Sequence, residues 1–283
     1  MGIPKLFAEM IVREHISRPL VGEALVVGRQ TVELKPHEVA PFMRGLGVNI
    51  TSSEELEIDK DTRATEGTSI SDRAFFGLLG LNKLKFLDVT DYEGADIIHD
   101  LSDPLPENLL GTADVIVDGA TLDNVFNPAR ALISLAGMLR PGGRMFLYNV
   151  GSNHTCPYTI LTPLWFYDYF IGNGFSRVLV YVSVFSKDGG TDRNVFVVEP
   201  QNVAFLTSNI TSVYSMTLLV VAERGAVAAH HYTPVQHQYR PRDADLRHRR
   251  NIELTLGSDT VDLVRSDCVQ FMDAPPGYRF IPQ

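Results

Sequence analysis

DVTDYEGADIIHDLSDPLPENLLGTADVIVDGATLDNVFNPARALISLAGMLRPGGRMFLYNV, residues Asp88 to Val150, is the stretch whose reading decides the fold. Three short apolar runs, Ala95 to Ile98, Asp114 to Val117 and Arg144 to Val150, alternate with helical or turn-rich segments. Parallel strands need a crossover between them, so this alternation predicts a parallel sheet covered on both faces. Asn127-Pro128 opens a helix with Ala131, Leu132, Leu135 and Met138 on one side, and Pro141-Gly142-Gly143 reads as its stop.

Working outward, Glu23 to Gly28 (EALVVG) reads as the first buried strand and Lys85 to Val89 as the next. Lys5 to Ile16 has the spacing of an amphipathic leading helix, and Pro36 to Leu46 that of a second one. Ser71 is a plausible N-cap for a helix from Asp72 to Leu81. Before it lies a polar excursion, about 48–72; its part from Thr51 to Asp72 carries seven acidic and two basic residues, which reads as a loop or lid. Downstream, Thr162-Pro163 opens a helix that stops at Gly172-Asn173-Gly174. Arg177 to Ser186, Asn194 to Val198 and Ser215 to Ala222 then follow without a long helix, which predicts antiparallel pairing at one edge. The expected architecture is an α/β Rossmann-like domain over residues 1–225. It holds a mostly parallel seven-stranded sheet with a C-terminal antiparallel hairpin, and an extension over 226–283 follows.

Composition excludes several classes. The longest apolar stretches, such as Val178 to Phe185, fall far short of the ~20 residues of a spanning helix, so no membrane insertion is expected. Glu9, Arg13, Glu14, His15 and Arg18 interrupt the first twenty residues, which do not read as a secretory signal, and a cytoplasmic protein is expected. Cys156 and Cys268 are too few for a disulfide framework and too far apart for a metal-ligand pair. A net charge of -9 disfavours a nucleic-acid partner. That whole excess lies before Ala226, because the extension holds seven Arg against seven Asp or Glu. Its run Arg247-His248-Arg249-Arg250 lacks interleaved aromatics and reads as a solvated or self-association face, so a homo-oligomer through the extension is a candidate. His230, His231 and His237 come without a Cys or Glu pattern, and no metal site is expected.

In an open parallel sheet the ligand lies beyond the carboxyl ends of the strands, where strand order reverses. The residues following the strands are Gly28-Arg29-Gln30, Asp88, Asp100-Leu101, Asp118-Gly119-Ala120-Thr121 and Asn149 to His154. Three acidic groups at successive strand ends suit a nucleoside, since one carboxylate can accept both ribose hydroxyls and another an adenine amine. Each of them alone is equally the pattern of a turn or helix cap. With neither a P-loop nor a G-x-G-x-x-G, a triphosphate or dinucleotide is disfavoured.

Asp100-Leu101, the TLDNVFN segment from Thr121 and LRPGG from Leu139 resemble the second through fifth strands of class I S-adenosylmethionine-dependent methyltransferases. The chain is most similar to bacterial members associated with surface-polysaccharide genes, in which Gly-Arg-Gln follows the first strand. SMTLLVVAERG resembles the final hairpin of that fold, and the likeness spans roughly Gly22 to Gly225. The resemblance implies S-adenosylmethionine as cofactor and a small-molecule or carbohydrate-like methyl acceptor. It places Gly28, Arg29 and Gln30 at the first cofactor turn, Asp88 at the ribose, Asp100 and Leu101 at the adenine, and Asp118 and Gly119 beside the methionine moiety. Asp123, Asn124 and His154 become the candidate catalytic residues, with Tyr158 near the acceptor. Two features depart from the family pattern: a single glycine at the first turn, and Asp123-Asn124 where many relatives carry Glu-His, the obvious general base. A catalytically silent binding or assembly protein is the alternative reading.

Overall fold

The computed structural model describes residues 2–50, 56–63, 65–152, 157–186, 193–197, 214–226, 233–236 and 279–280. Two short strands, β1 (Gly2–Ile3) and β3 (Thr31–Val32), pair in parallel as a separate two-stranded sheet. The other strands are β2 (Glu23–Val27), β4 (Lys83–Asp88), β5 (Ile97–Ile98), β6 (Ala113–Gly119), β7 (Leu139–Ser152), β8 (Phe175–Ser186), β9 (Arg193–Val197), β10 (Tyr214–Arg224) and β11 (Arg279–Phe280). They form one sheet in the order β11-β9-β8-β10-β7-β6-β2-β4-β5. Every neighbouring pair from β5 to β7 is parallel. β10 enters antiparallel between β7 and β8.

The seven strands from β8 to β5 are the mostly parallel sheet with a late hairpin that the sequence predicts. The observed sheet is wider, because β9 pairs with β8 and β11 with β9, both antiparallel. The run from Asn194 therefore joins the main sheet. Strand order reverses between β2 and β6: the chain first builds outward through β4 and β5, then returns to the other side of β2. That reversal opens the crevice in which such folds bind ligands.

Helices α1 (Lys5–Ser17), α2 (Pro36–Gly45), α3 (Asp72–Leu78), α4 (Pro128–Met138) and α5 (Pro163–Gly172) cover the sheet. The starts of α3, α4 and α5 follow local chemistry. Ser71 accepts the N–H of Ala74, Asn127 that of Arg130 and Thr162 that of Trp165, each meeting an otherwise unpaired helix donor. On one face Leu132 and Leu135 of α4 and Phe166 and Phe170 of α5 pack with Ile116, Met145, Val180 and Leu218. On the other, Phe7, Met10 and Ile11 of α1 and Phe75 and Phe76 of α3 pack with Val26, Val117, Phe146 and Leu219.

Two helix ends differ from the sequence reading by more than a residue. Helix α3 ends at Leu78 rather than Leu81, where the N–H of Leu81 folds back to the carbonyl of Phe76. Pro141-Gly142-Gly143 is no helix stop: α4 ends at Met138, Leu139 turns extended, and the triplet lies within β7, whose first residue pairs with Ala113. The sheet ladder prevails over the local turn signal there. Most of the extension after Ala226, including the basic run and the histidines of the tail, lies outside the described residues.

A buried charge cluster fixes α1 to the sheet. Both Glu14 carboxylate oxygens accept from Arg177 of β8 at 2.7 and 2.6 Å, and Arg144 of β7 lies 3.5 Å away. Arg144 also donates to the carbonyls of Glu14, Arg18 and Pro19, so it ties the end of the helix and the turn after it to the sheet. Burial, followed by the charge of Arg18, pulls the Arg144 pKa down to about 10, which leaves it a cation at neutral pH. Removing the acid leaves the buried Arg144 guanidinium facing the partly buried one of Arg177. Glu14→Ala is therefore expected to lower unfolding stability by about 3–5 kcal/mol, read as a lower urea midpoint at unchanged slope.

Candidate functional site

At the end of β2 Gly28 turns the chain with φ of +67°, a conformation open to glycine at little cost, and its N–H bonds the carbonyl of Leu87 at 2.6 Å. The next residue shapes the turn. Arg29 is buried, and its Nε and Nη2 donate to the two oxygens of Asp72 at 2.8 and 2.9 Å. One of those oxygens also accepts the N–H of Gln30 at 3.0 Å. The guanidinium lies 4.6 Å from the centre of the Phe86 ring and reaches Asp61 at 3.3 Å. An ion pair and a single glycine thus hold this turn in place of a glycine-rich loop.

Above the strand-order reversal opens a cleft of about 1040 Å³. Arg29, Asp88, Thr90 and Asn124 line it from the strand ends, and Tyr92 and Arg63 from the loops. Asp88 is half-buried, with one oxygen accepting the N–H of Thr90 at 3.2 Å. The excursion forms one wall. Its carboxylate Asp59 accepts the N–H groups of Asp61 and Thr62 and the Thr62 hydroxyl, while Thr62 meets Thr31 hydroxyl to hydroxyl at 2.7 Å. Burial alone would raise the Asp59 pKa, but these donors outweigh it and hold the group below its ordinary value.

Thr31 also lines a second cleft of about 660 Å³, whose floor includes Ala120 and Tyr148. Between the two lies Gln30, fully buried, whose Nε2 donates to the carbonyl of Val27 at 2.6 Å. Its Oε1 has no donor among the described residues, and a Cβ at Gly119 would collide with it. The loop after β6 is pinned by two buried acids. Asp118 accepts the N–H groups of Thr121 and Leu122 at 2.8 and 3.2 Å. Asp123 accepts the N–H of Val150 at 2.8 Å on one oxygen and the Asn124 amide at 3.0 Å on the other. Asn124 also donates to the carbonyl of Ala120 at 2.8 Å. Ala120 itself holds φ of +71°, which costs an L-residue energy that these bonds offset. Burial pushes the Asp118 pKa up to about 7 against the Thr121 and Leu122 donors, and burial likewise raises that of Asp123.

The sequence-predicted residues separate into groups. Arg29, Asp88 and Asn124 line the first cleft, and Gly28, Gln30 and Gly119 sit beside or beneath it. Asp100 is exposed, lines neither cleft, and caps its own turn through the N–H of Ser102 at 2.8 Å. Leu101 is buried in the core beside α4. The carboxylates of Asp118 and Asp123 face backbone N–H groups, and Gly119 packs against Gln30. Tyr158 is exposed, its ring edge-on to Phe126 at 6.2 Å, and His154 lies outside the described residues. Sequence reasoning missed Asp72, Thr31, Arg63 and Tyr148. Asp72 stands 43 positions from the Arg29 it pairs with, and no local pattern joins them.

No protein-family model matches the chain, and no curated protein does. Solved structures do. An O-methyltransferase from a polyketide synthase of Brevibacillus brevis, in complex with S-adenosyl-L-homocysteine, is 10% identical with a TM-score of 0.41, over 88% of this chain and 77% of that one. The 1,6-didemethyltoxoflavin-N1-methyltransferase of Burkholderia thailandensis, bound to 1,6-didemethyltoxoflavin and S-adenosylhomocysteine, is 12% identical with a TM-score of 0.36, over 77% and 76%.

The state of Asp118 gives a pH test. An unfolded aspartate titrates near ~3.9, so between there and about 7 the folded chain keeps a proton that the unfolded chain has lost. Stability from this group therefore falls as pH rises through that window and levels above it. Urea unfolding at pH 5 and pH 7.5 is expected to show a smaller loss over the interval in Asp118→Asn than in the unaltered protein.

Proposed function

We propose that this chain is an S-adenosylmethionine-dependent methyltransferase acting on a small-molecule acceptor, with a carbohydrate-like acceptor as the finer reading. The observation that carries it is the insertion of antiparallel β10 between β7 and β8, on a parallel sheet whose reversal-point cleft presents Asp88. This is the strand arrangement that the sequence resemblance implies.

The donor and acceptor chemistry of the site fits the cofactor. Asp88 would accept the ribose hydroxyls. Asp100-Leu101, the adenine pair that the resemblance implies, follows β5 beside β4, but it lines neither cleft, so no adenine contact is assigned to it. When bound, the cofactor supplies an activated methyl group on a sulfonium.

The protein's own contribution is positioning. Both oxygens of Asp123 already accept hydrogen bonds, so Asp123 and Asn124 act by holding the Ala120 turn rather than by removing a proton. Holding an acceptor in line with the methyl carbon is then the main source of rate.

Calorimetric titration with S-adenosylhomocysteine tests this without the acceptor. Micromolar binding is expected, and Asp88→Ala is expected to weaken it at least ~10-fold, the scale of a lost hydrogen bond to a charged group. Absence of binding in the unaltered protein would replace this reading with a scaffold that keeps the sheet without the ligand.

A further inference from the structure

We infer that the methyl acceptor is a small hydrophilic amine held in the 660 Å³ cleft beyond Thr31, an assignment that rests on the methyl-transfer reading above. Location comes first. Thr31 is common to both clefts, so a molecule in the smaller one lies beside whatever fills the larger. The floor at that junction is rigid. Asn124 bonds the carbonyl of Ala120 and Asp118 the N–H of the next residue, Thr121, and the ring of Tyr148 stands 5.6 Å from that of Phe7 on α1. The short strand β1 and its continuation Pro4 and Lys5 close another side, with β1 tied to β3 by the Gly2 and Thr31 pairing.

Charge then selects the occupant. Lys5 and Glu38 on the rim neutralise each other at 2.6 Å, and Glu38 also accepts the N–H of Lys35 at 2.8 Å. Of the remaining charged residues in the lining, Glu33, Glu66 and Lys35 have no ion-pair partner among the described residues. Two carboxylates against one ammonium leave the cleft attractive to a cation. Thr68 and Ser69 add hydroxyls to the lining. An apolar acceptor would strip water from these groups and return no hydrogen bonds.

The transfer balances. The ammonium first gives one proton to water by way of Glu33 or Glu66, and the lone pair so freed forms the nitrogen–methyl bond. The sulfur–methyl bond breaks, its electron pair stays on sulfur to give a neutral thioether, and the product leaves as a methylammonium.

The test uses the full chain, methyl-labelled S-adenosylmethionine and four probes: ethanolamine, D-glucosamine, D-glucose and catechol. Label is expected in the two amines and not in the other two. In the double variant Glu33→Gln, Glu66→Gln, KM for the amine is expected to rise at least tenfold while affinity for S-adenosylhomocysteine stays within twofold. Preferential labelling of glucose or catechol, or an unchanged KM in the double variant, overturns the inference. No label in any probe, with S-adenosylhomocysteine still bound, overturns the acceptor class and leaves the cofactor reading standing. Loss of S-adenosylhomocysteine binding in the unaltered protein overturns the reading beneath both.

Discussion

The Arg29–Asp72 pair is the interaction on which the site depends. Its geometry is two-pronged and fully buried, and one shared oxygen also takes the N–H of Gln30. Four parts of the chain meet there: the turn after β2, the first residue of α3, the Phe86 ring of β4, and the excursion through Asp61. A buried guanidinium is tolerable only when its donors are met, so the pair dictates where each of those parts lies. A glycine-rich turn would let a ligand approach bare backbone. Here the turn is filled and stiffened by side chains, and the cleft is lined instead by Asp88, Thr31 and Asn124.

A second buried cluster performs the same service at the opposite end of the sheet. Glu14 joins α1 to β7 and β8 through Arg144 and Arg177, while Arg18 reaches Glu223 of β10 at 2.8 Å. With α1 fixed, the residues before it are fixed as well, and β1 pairs beside β3 at the mouth of the smaller cleft. The leading segment therefore contributes walls to the site as well as covering the sheet. Apolar packing on the two sheet faces supplies the bulk of the cohesion, and these two polar clusters set the registration of its edges.

Two buried carboxylates show how burial changes the meaning of a residue. Asp118 and Asp123 occupy strand-end positions where a ligand contact is a natural reading, yet their oxygens accept backbone N–H groups of their own loop and of Val150. They shape the loop around Ala120, whose left-handed backbone carbonyl takes the Asn124 amide. Asp88 and Asp100 look alike in sequence and separate in the same way: one lines the cleft, the other ends a turn at Ser102.

The strands, the crossovers and the late antiparallel edge were legible in the sequence, because apolar runs, Asn-Pro and Thr-Pro helix starts and the missing crossover helix are local signals. The positions of Gly28, Arg29 and Asp88 at strand ends were legible for the same reason. Tertiary structure alone decided that Arg29 pairs with Asp72, that β1 and β3 pair, and that Gln30 lies buried against Gly119. It also decided which acids face solvent and which face N–H groups. Those outcomes depend on contacts between residues far apart along the chain, and the choice between a ligand-facing carboxylate and a turn-holding one is made by desolvation and by nearby donors, which exist only after the chain has folded.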